Sequence, residues 1–426
     1  MKRREALTRI GALSASIVIS DILFANKALA SPLQNKTILL VSGWQDVNIG
    51  DIAHTPGLLH VLETYFPEAK IILWKKSKGE EVGELLNKNF PKVQIIYGDF
   101  DKLNNVDNTE IIKAVESADV MIHGSGPSLV GADHLAFWIK NTDKPFGVFG
   151  TTLQNPDDYH QGILKKASFI YTRETLSIAH LQKAGIKGDH ILFAPDATFY
   201  MDIRNDQKGY QFLEDNGLEE KKFICVIPRL RVTPYYKFNP NNNGWSDERI
   251  REVEELNESK KELDHAKMRE AMIAYVRETG NKVLVCPEMT YQVDIMDDLL
   301  IDPLPEDVKS KVIKRGYWFP DEAASVYTKA LAVLSFECHS PIIAAVNGTP
   351  FFYLRQPEDT IKGQMYYDLG FDDWIFEIEE TDGSKIANQL KKIWTDLPAA
   401  QSYLKKNMDQ VSGIYKSRIE RVKELI

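Results

Sequence analysis

Short runs of β-branched, aliphatic and aromatic residues recur along this chain, separated by amphipathic stretches. That alternation constrains the fold more than any other feature. Thr37 to Ser42 reads as a first strand, followed by Lys70 to Trp74, Val93 to Tyr97, Val120 to Ile122, Phe146 to Phe149 and Phe169 to Tyr171. Stretches such as Thr109 to Ser117 and Glu174 to Lys183 carry helical periodicity, the latter closed by Gly185. Strands alternating with helices at this spacing imply an α/β fold with a mostly parallel sheet. A polar segment from Arg204 to Lys222 interrupts the rhythm, which restarts with Phe223 to Ile227 and continues through Val283 to Cys286, Lys311 to Ile313, Leu331 to Ser335 and Phe351 to Tyr353. The expected architecture is two Rossmann-like domains facing a cleft: residues 37–204, a linker at 205–221, and residues 222–397. A charged C-terminal helix at 398–426 is expected to pack back across the first domain. A long insert, Leu230 to Asp247, follows the first strand of the second half and is rich in aromatics and asparagines. Such a loop is either a lid or sugar-facing element or surface decoration.

The first 30 residues stand apart. Lys2-Arg3-Arg4, a weakly apolar stretch from Ile10 to Phe24, and Ala28-Leu29-Ala30 describe an export signal cleaved after Ala30. The adjacent arginines suggest the twin-arginine route and a periplasmic destination. The alternative is a basic N-terminal helix. Across the 426 residues, 61 Asp plus Glu outweigh 52 Lys plus Arg, for a net charge of −9. With no basic tract, nucleic acid and anionic membrane surfaces are not expected partners. No apolar run is long enough for a membrane-spanning helix. Three cysteines, Cys225, Cys286 and Cys338, form no CxxC pair and read as buried free thiols. A Cys338–His339 nucleophilic pair is disfavoured, because adjacent residues on a strand point to opposite faces.

Ligands of open α/β sheets bind outside the carboxyl ends of the strands, so the residues that follow each strand are the candidate site. After the first strand come Asn48, Gly50 and Asp51, with Asp51 placed to cap a helix whose N-terminus favours anions. After the Val120 strand come His123, Gly124, Ser125 and Gly126. Neither loop is a P-loop or a full GxGxxG, and each is equally read as a tight strand-to-helix turn. Arg173 and Asp196 end two later strands. Arg229 and Arg231 follow the first strand of the second half, and Glu288 follows the next. Ser335-Phe336-Glu337-Cys338-His339 ends a late strand and places His339 for general acid or base work. HExxH, HxH and zinc-spaced Cys/His clusters are missing, as is a G-x-S-x-G elbow, so neither a metal site nor a serine hydrolase is expected.

Asn48-x-Gly50-Asp51, His123-Gly124-Ser125-Gly126, Thr172-Arg173-Glu174 with Ala184-Gly185-Ile186, Pro195-Asp196, and His339 with Gly348-Thr349-Pro350 occur in that order. The ordered set, over about residues 37–370, resembles the polysaccharide pyruvyl transferase family. The resemblance implies a fold like the two-domain GT-B glycosyltransferases. It implies transfer of the enolpyruvyl unit of phosphoenolpyruvate to sugar hydroxyls of a polysaccharide or glycan acceptor, with no further cofactor. Carried over by position, His339 would be the general acid and Arg229 would hold the donor's phosphate or carboxylate, which suits arginine's forked geometry. The glycine loops, Asp51 and Asp196 would shape the acceptor side.

Two residues depart from the family pattern. Glu337 stands where the family carries an arginine, and Cys286-Pro287-Glu288 where it often shows a histidine. At about 4 Å and an effective dielectric near 20, each charge is worth roughly 4 kcal/mol against a phosphate, so a carboxylate at 337 opposes an anionic donor. Export likewise separates the protein from cytoplasmic phosphoenolpyruvate. The competing expectation is therefore an exported carbohydrate-binding or differently catalytic protein on the same scaffold. Its cleft would be lined by Glu288, Glu337 and aromatics such as Trp44, Tyr235, Tyr236 or Trp245. A third reading pairs Glu337 with Arg229, Arg231 or Arg355.

Overall fold

Runs such as Ile38-Leu39-Leu40-Val41 lack polar alternation, as strands covered on both faces do; all four residues are fully buried. In the computed structural model, which describes residues 36–101, 105–238 and 244–425, thirteen strands form two wholly parallel sheets. The expected export signal at 1–30 lies outside the described residues, as do Ile426 and residues 239–243 of the insert. The first sheet contains β1 (Thr37–Ser42), β2 (Lys70–Lys75), β3 (Gln94–Ile96), β4 (Val120–His123), β5 (Phe146–Thr151), β6 (Phe169–Thr172) and β7 (Ile191–Phe193). The second contains β8 (Phe223–Ile227), β9 (Lys282–Val285), β10 (Val312–Lys314), β11 (Ala332–Ser335), β12 (Phe351–Arg355) and β13 (Ile375–Glu377). Strand orders are β3-β2-β1-β4-β5-β6-β7 and β10-β9-β8-β11-β12-β13. Both are Rossmann-like, with the order reversing between β1 and β4 in one sheet and between β8 and β11 in the other. The edge strand β13 was not foreseen from the sequence.

Helix α1 (Ile49–Tyr65) follows β1 and is buried on nearly every side from Ile49 to Leu62, which explains why its sequence shows no polar face. It packs against the turn Ala197–Tyr200 and against a helix of the second domain. Residues 205–221 carry helix α2 (Asp206–Asp215). Asn205 N–H donates to Asp321 O and Ser325 Oγ, both at 3.0 Å, which ties this polar segment to the second domain. The insert leads into the 33-residue helix α3 (Asp247–Thr279), stopped by Gly280 at φ 72°. The C-terminal helix α4 (Leu397–Lys423) returns to the first domain. There Arg418 Nε donates to Phe193 O at 2.7 Å, and Tyr415 lies stacked on Phe149.

The two domains meet along the carboxyl ends of their sheets. Ile49 N–H donates to Glu288 O at 2.9 Å and Thr290 N–H to Val47 O at 3.1 Å. This short antiparallel bridge joins Asn48 and Met289 across the seam.

Candidate functional site at the domain seam

Most of the residues that the sequence singled out do follow a strand's carboxyl end, and the seam brings many of them together. Asn48 caps α1, accepting from the amides of Gly50 at 2.7 Å and Asp51 at 3.2 Å. Gly50 lies against the imidazole of His339 in the other domain. A Cβ at position 50 would fall 2.2 Å from His339 Nδ1, so the close approach of the two domains requires glycine there.

His339 opens a short helix of the seam, His339–Val346. Its Nδ1 is 3.2 Å from Glu288 Oε1. Its Nε2 is 3.0 Å from His54 Nε2 and 3.8 Å from Asp196 Oδ2. Glu288 Oε2 accepts from the Ser340 amide at 2.6 Å, at the positive end of that helix. Asp196 Oδ2 also accepts from Arg173 Nη1 at 2.8 Å and lies 3.1 Å from His54 Nε2. Arg173 Nε donates to Thr152 Oγ1 at 2.6 Å. Burial alone would lower the His339 imidazole, but Asp196 and Glu288 overcome it and raise it well above its ordinary value. Burial likewise works to raise the Asp196 carboxyl, yet His54, His339 and Arg173 hold it well below the usual range.

Arg229 lies on the second-domain flank of this cluster. Its Nη1 donates to Asp359 Oδ1 at 2.6 Å and to Gln356 Oε1 at 2.9 Å. Its Nε sits 3.3 Å from Glu337 Oε1, an ion pair without the alignment of a hydrogen bond. Gln292 Nε2 donates to the same Glu337 oxygen at 2.8 Å, and Gln292 Oε1 accepts from the Glu288 amide at 2.7 Å. Of the three arginines weighed as partners for Glu337, the structure pairs it with Arg229. Arg231 is held by Asp264, Glu358 and Glu379, and Arg355 by Glu377. Burial, opposed by Arg229 and reinforced by Glu288, raises the Glu337 carboxyl to about 7. Arginine charge at the seam is therefore matched by carboxylates.

His123 sits elsewhere. Its Nε2 accepts from the Gly131 amide at 2.9 Å, and its ring stacks on Trp44 at 4.7 Å. Burial lowers it to about 3, so it is a neutral imidazole. Ser125 links the loop after β4 to the Asp196 turn, its Oγ accepting from the Ala197 amide at 2.9 Å and donating to Phe149 O at 3.2 Å. Ser125 O accepts from Trp44 Nε1, and Gly124 and Gly126 carry this loop past β5 through Thr151. In the insert, Tyr235 is 45% exposed, yet its hydroxyl is desolvated and feels Asp51 and Glu337, which together push it to about 12. Tyr236 and Trp245 pair instead on the outer side, near a cavity of about 730 Å³ bounded by Leu230, Lys237, Glu254 and Lys261.

The sequence reading missed His54, Gln292 and Asp359. His54 had one available signal: it lies three residues after Asp51, on the same face of a helix.

Over residues 48–356 the sequence matches the family of polysaccharide pyruvyl transferases. The chain belongs to that family. No curated protein matches it. Among solved structures, it is similar to a glycosyltransferase from Rickettsia africae (12% identity, TM-score 0.58, covering 92% of this chain and 98% of that one). It is also similar to a putative UDP-N-acetylglucosamine 2-epimerase from Listeria monocytogenes (13%, TM-score 0.55, 87% and 90%). A third is the UDP-GlcNAc 2-epimerase from Neisseria meningitidis (13%, TM-score 0.52, 91% and 99%). At such identities the likeness concerns fold alone, and the fold is GT-B-like. In this family member the seam between the two Rossmann-like domains is closed by direct contacts among His54, His339, Asp196 and Glu288. Among the described residues no helix is long and apolar enough to cross a membrane.

Proposed function

We propose that the protein transfers a pyruvyl unit from phosphoenolpyruvate to a sugar of an envelope or exported polysaccharide, as a ketal, at the seam around His339. Family membership supports this reading. The observation that carries it is one continuous network, Arg229–Glu337–Gln292–Glu288–His339, which joins the two residues matched to the family's donor-holding arginine and histidine. In the reaction, two sugar hydroxyls form C–O bonds to the carbon that carried the phosphate. One of their protons converts the methylene to a methyl group; the other leaves with phosphate.

A second reading has its own observation. Arg229 is already matched by Glu337 and Asp359, so the seam suits a neutral glycan better than an anionic donor. Calorimetric titration of the full chain with phosphoenolpyruvate, beside Glu337→Arg, separates the two. Micromolar binding by the unmodified protein, with a pyruvylated glycan detected by mass spectrometry, is the expected result. Binding only in Glu337→Arg would overturn the transferase reading in favour of a sugar-binding protein. We further propose that residues 1–30 direct twin-arginine export to the periplasm with cleavage after Ala30. Replacing Arg3 and Arg4 by lysine should then hold the protein in the cytoplasm; unchanged periplasmic recovery would refute it.

A further inference from the structure

Three donor atoms converge on one point of the seam. His54 Nε2, His339 Nε2 and Asp196 Oδ2 form a triangle with edges of 3.0, 3.1 and 3.8 Å. They come from the middle of α1, the start of the helix His339–Val346 and the turn after β7, and all three side chains are buried. Protons alone satisfy this triangle poorly. The contact between two imidazole nitrogens needs one proton, and the contact between His54 Nε2 and Asp196 Oδ2 needs one as well. If His339 Nε2 supplies the proton to His54 Nε2, the contact of His54 Nε2 with Asp196 Oδ2 is left without one; if His54 Nε2 carries it, that one proton faces two acceptors. A cation at the centre uses all three lone pairs instead.

What stands behind each group points the same way. Glu288 Oε1 lies 3.2 Å from His339 Nδ1. Asp51 Oδ1 lies 3.9 Å from His54 Nδ1, a buried atom with no hydrogen-bond partner. Behind His339 the Glu288 carboxylate, within hydrogen-bond reach, fixes the Nδ1–H tautomer and turns the Nε2 lone pair outward; Asp51 is too far from His54 Nδ1 for a hydrogen bond and acts on that ring by its charge alone. Arg173 Nη1, 2.8 Å from Asp196 Oδ2, orients the third group. Ligands about 2.0–2.1 Å from a tetrahedral ion lie about 3.3 Å apart, and the three edges bracket that separation. Three carboxylates, Asp51, Asp196 and Glu288, surround the point, against one arginine.

We infer that His54, Asp196 and His339 bind one divalent transition-metal cation, zinc in the first instance, with a fourth position for an oxygen ligand. Two imidazoles and one carboxylate are a donor set suited to that class of ion. The cation places positive charge at a seam whose arginines are already matched by carboxylates. Nothing in it depends on the donor or the acceptor, but it bears on the role of His339: with Nδ1 facing Glu288 and Nε2 on the ion, His339 would act as a ligand and not as the general acid.

The test strips the purified full chain with a chelator, dialyses it against zinc and counts zinc per chain by plasma mass spectrometry. Cobalt(II) absorption reports the ligand set in parallel. One ion per chain is expected. His54→Ala should weaken binding at least roughly 100-fold, and Glu288→Gln, which removes a carboxylate behind a ligand, by roughly 10-fold. Cys338→Ser should retain full stoichiometry, which excludes the neighbouring thiol as the ligand. His54→Gln repeats the measurement should the alanine variant fail to fold. An unmodified protein that takes up no zinc, or a His54 variant that binds it as tightly, would show that the two histidines merely share a proton. Phosphoenolpyruvate appears in neither readout, so failure here leaves the transferase reading intact.

Discussion

Strands β4 and β11 hold the same place in their sheets, next to the first strand and just past the reversal of strand order. Each leads to a histidine, and the two histidines have opposite fates. His123 finds an amide donor and an indole face, with no carboxylate partner among the described residues, and burial lowers it to about 3. His339 is just as enclosed but lies between Glu288 and Asp196, and it is raised well above its ordinary value. Residue type and position in the topology are alike; the facing domain makes the difference. Glu288 reaches His339 from within the second domain, whereas Asp196 and His54 come from the first, and among the described residues no carboxylate ion pair reaches His123. The chemistry of this fold therefore depends on what the seam places opposite a strand end.

The two histidines should differ most in their effect on activity. On the proposed transfer reaction, His339→Gln is expected to lower activity by roughly 100-fold or more, the scale of losing a positioned acid or base group. His123→Gln should retain activity within a few-fold. Steady-state assay of both variants decides the matter: equal losses would mean that the two strand ends are not functionally distinct. Next comes Gly50→Ala. The added methyl would collide with the His339 ring, and overpacking of this kind costs about 1–3 kcal/mol. Urea unfolding should show that loss, with a fall in activity beside it. A neutral result would mean that the seam opens easily enough to accept a side chain.

How much of this was visible in the sequence follows from what each element buries. Interior strands such as β1 and β8 carry unbroken apolar runs, Ile38–Val41 and Phe223–Ile227, so their positions are read directly from composition. The edge strand β13 escaped although β3 and β10, equally short, were read; its apolar Ile375 and Phe376 lie in a segment with Asp372, Asp373, Glu377, Glu379 and Glu380. The polar segment 205–221 reads as a connector, yet Leu213 is buried in α2 and Asn205 is tied to Asp321 and Ser325. Its few apolar residues do not mark a helix unless the partner surface is known. Strand-end logic found His339, Asp196, Glu288 and Arg229, because the chain must pass the rim there. His54 escaped it, since it lies inside a helix buried on all sides, where a polar residue has no periodic signature. Which rim residues face each other depends on the docking of the two sheets, and no local pattern records that.

Acid acts on the buried histidines as well. Three buried imidazoles are lowered by burial, His123 and His134 to about 3 and His265 to about 4. In the unfolded chain each takes up its proton near pH 6.5. Between those values the unfolded state binds more protons, so stability falls as pH drops below about 6.5, by up to about 1.4 kcal/mol per pH unit for each group. His123→Gln removes one such group and should flatten the decline between pH 6 and pH 5 by about that amount. An unchanged slope in urea unfolding at the two pH values would mean that His123 is already accessible to protons in the native state.

The smallest expected effect concerns the helix that braces the first-domain side of the seam. The Tyr415 hydroxyl of α4 donates to the backbone oxygens of Asp196 at 2.5 Å and Pro195 at 3.1 Å. Its ring, stacked on Phe149, is fully buried. The hydroxyl has one proton for two acceptors, so Tyr415→Phe removes one shared hydrogen bond and keeps the packing. The cost should be about 0.5–1.5 kcal/mol. The lost bond sits on the backbone of Asp196, whose Oδ2 faces both His54 and His339. The variant should therefore lose some transfer activity as well, whereas a distant cut of equal size, such as Tyr403→Phe at Gly370 O, should lower stability alone. Equal activity in the two variants would mean that the cross-domain packing of α1 positions Asp196 without help from the C-terminal helix.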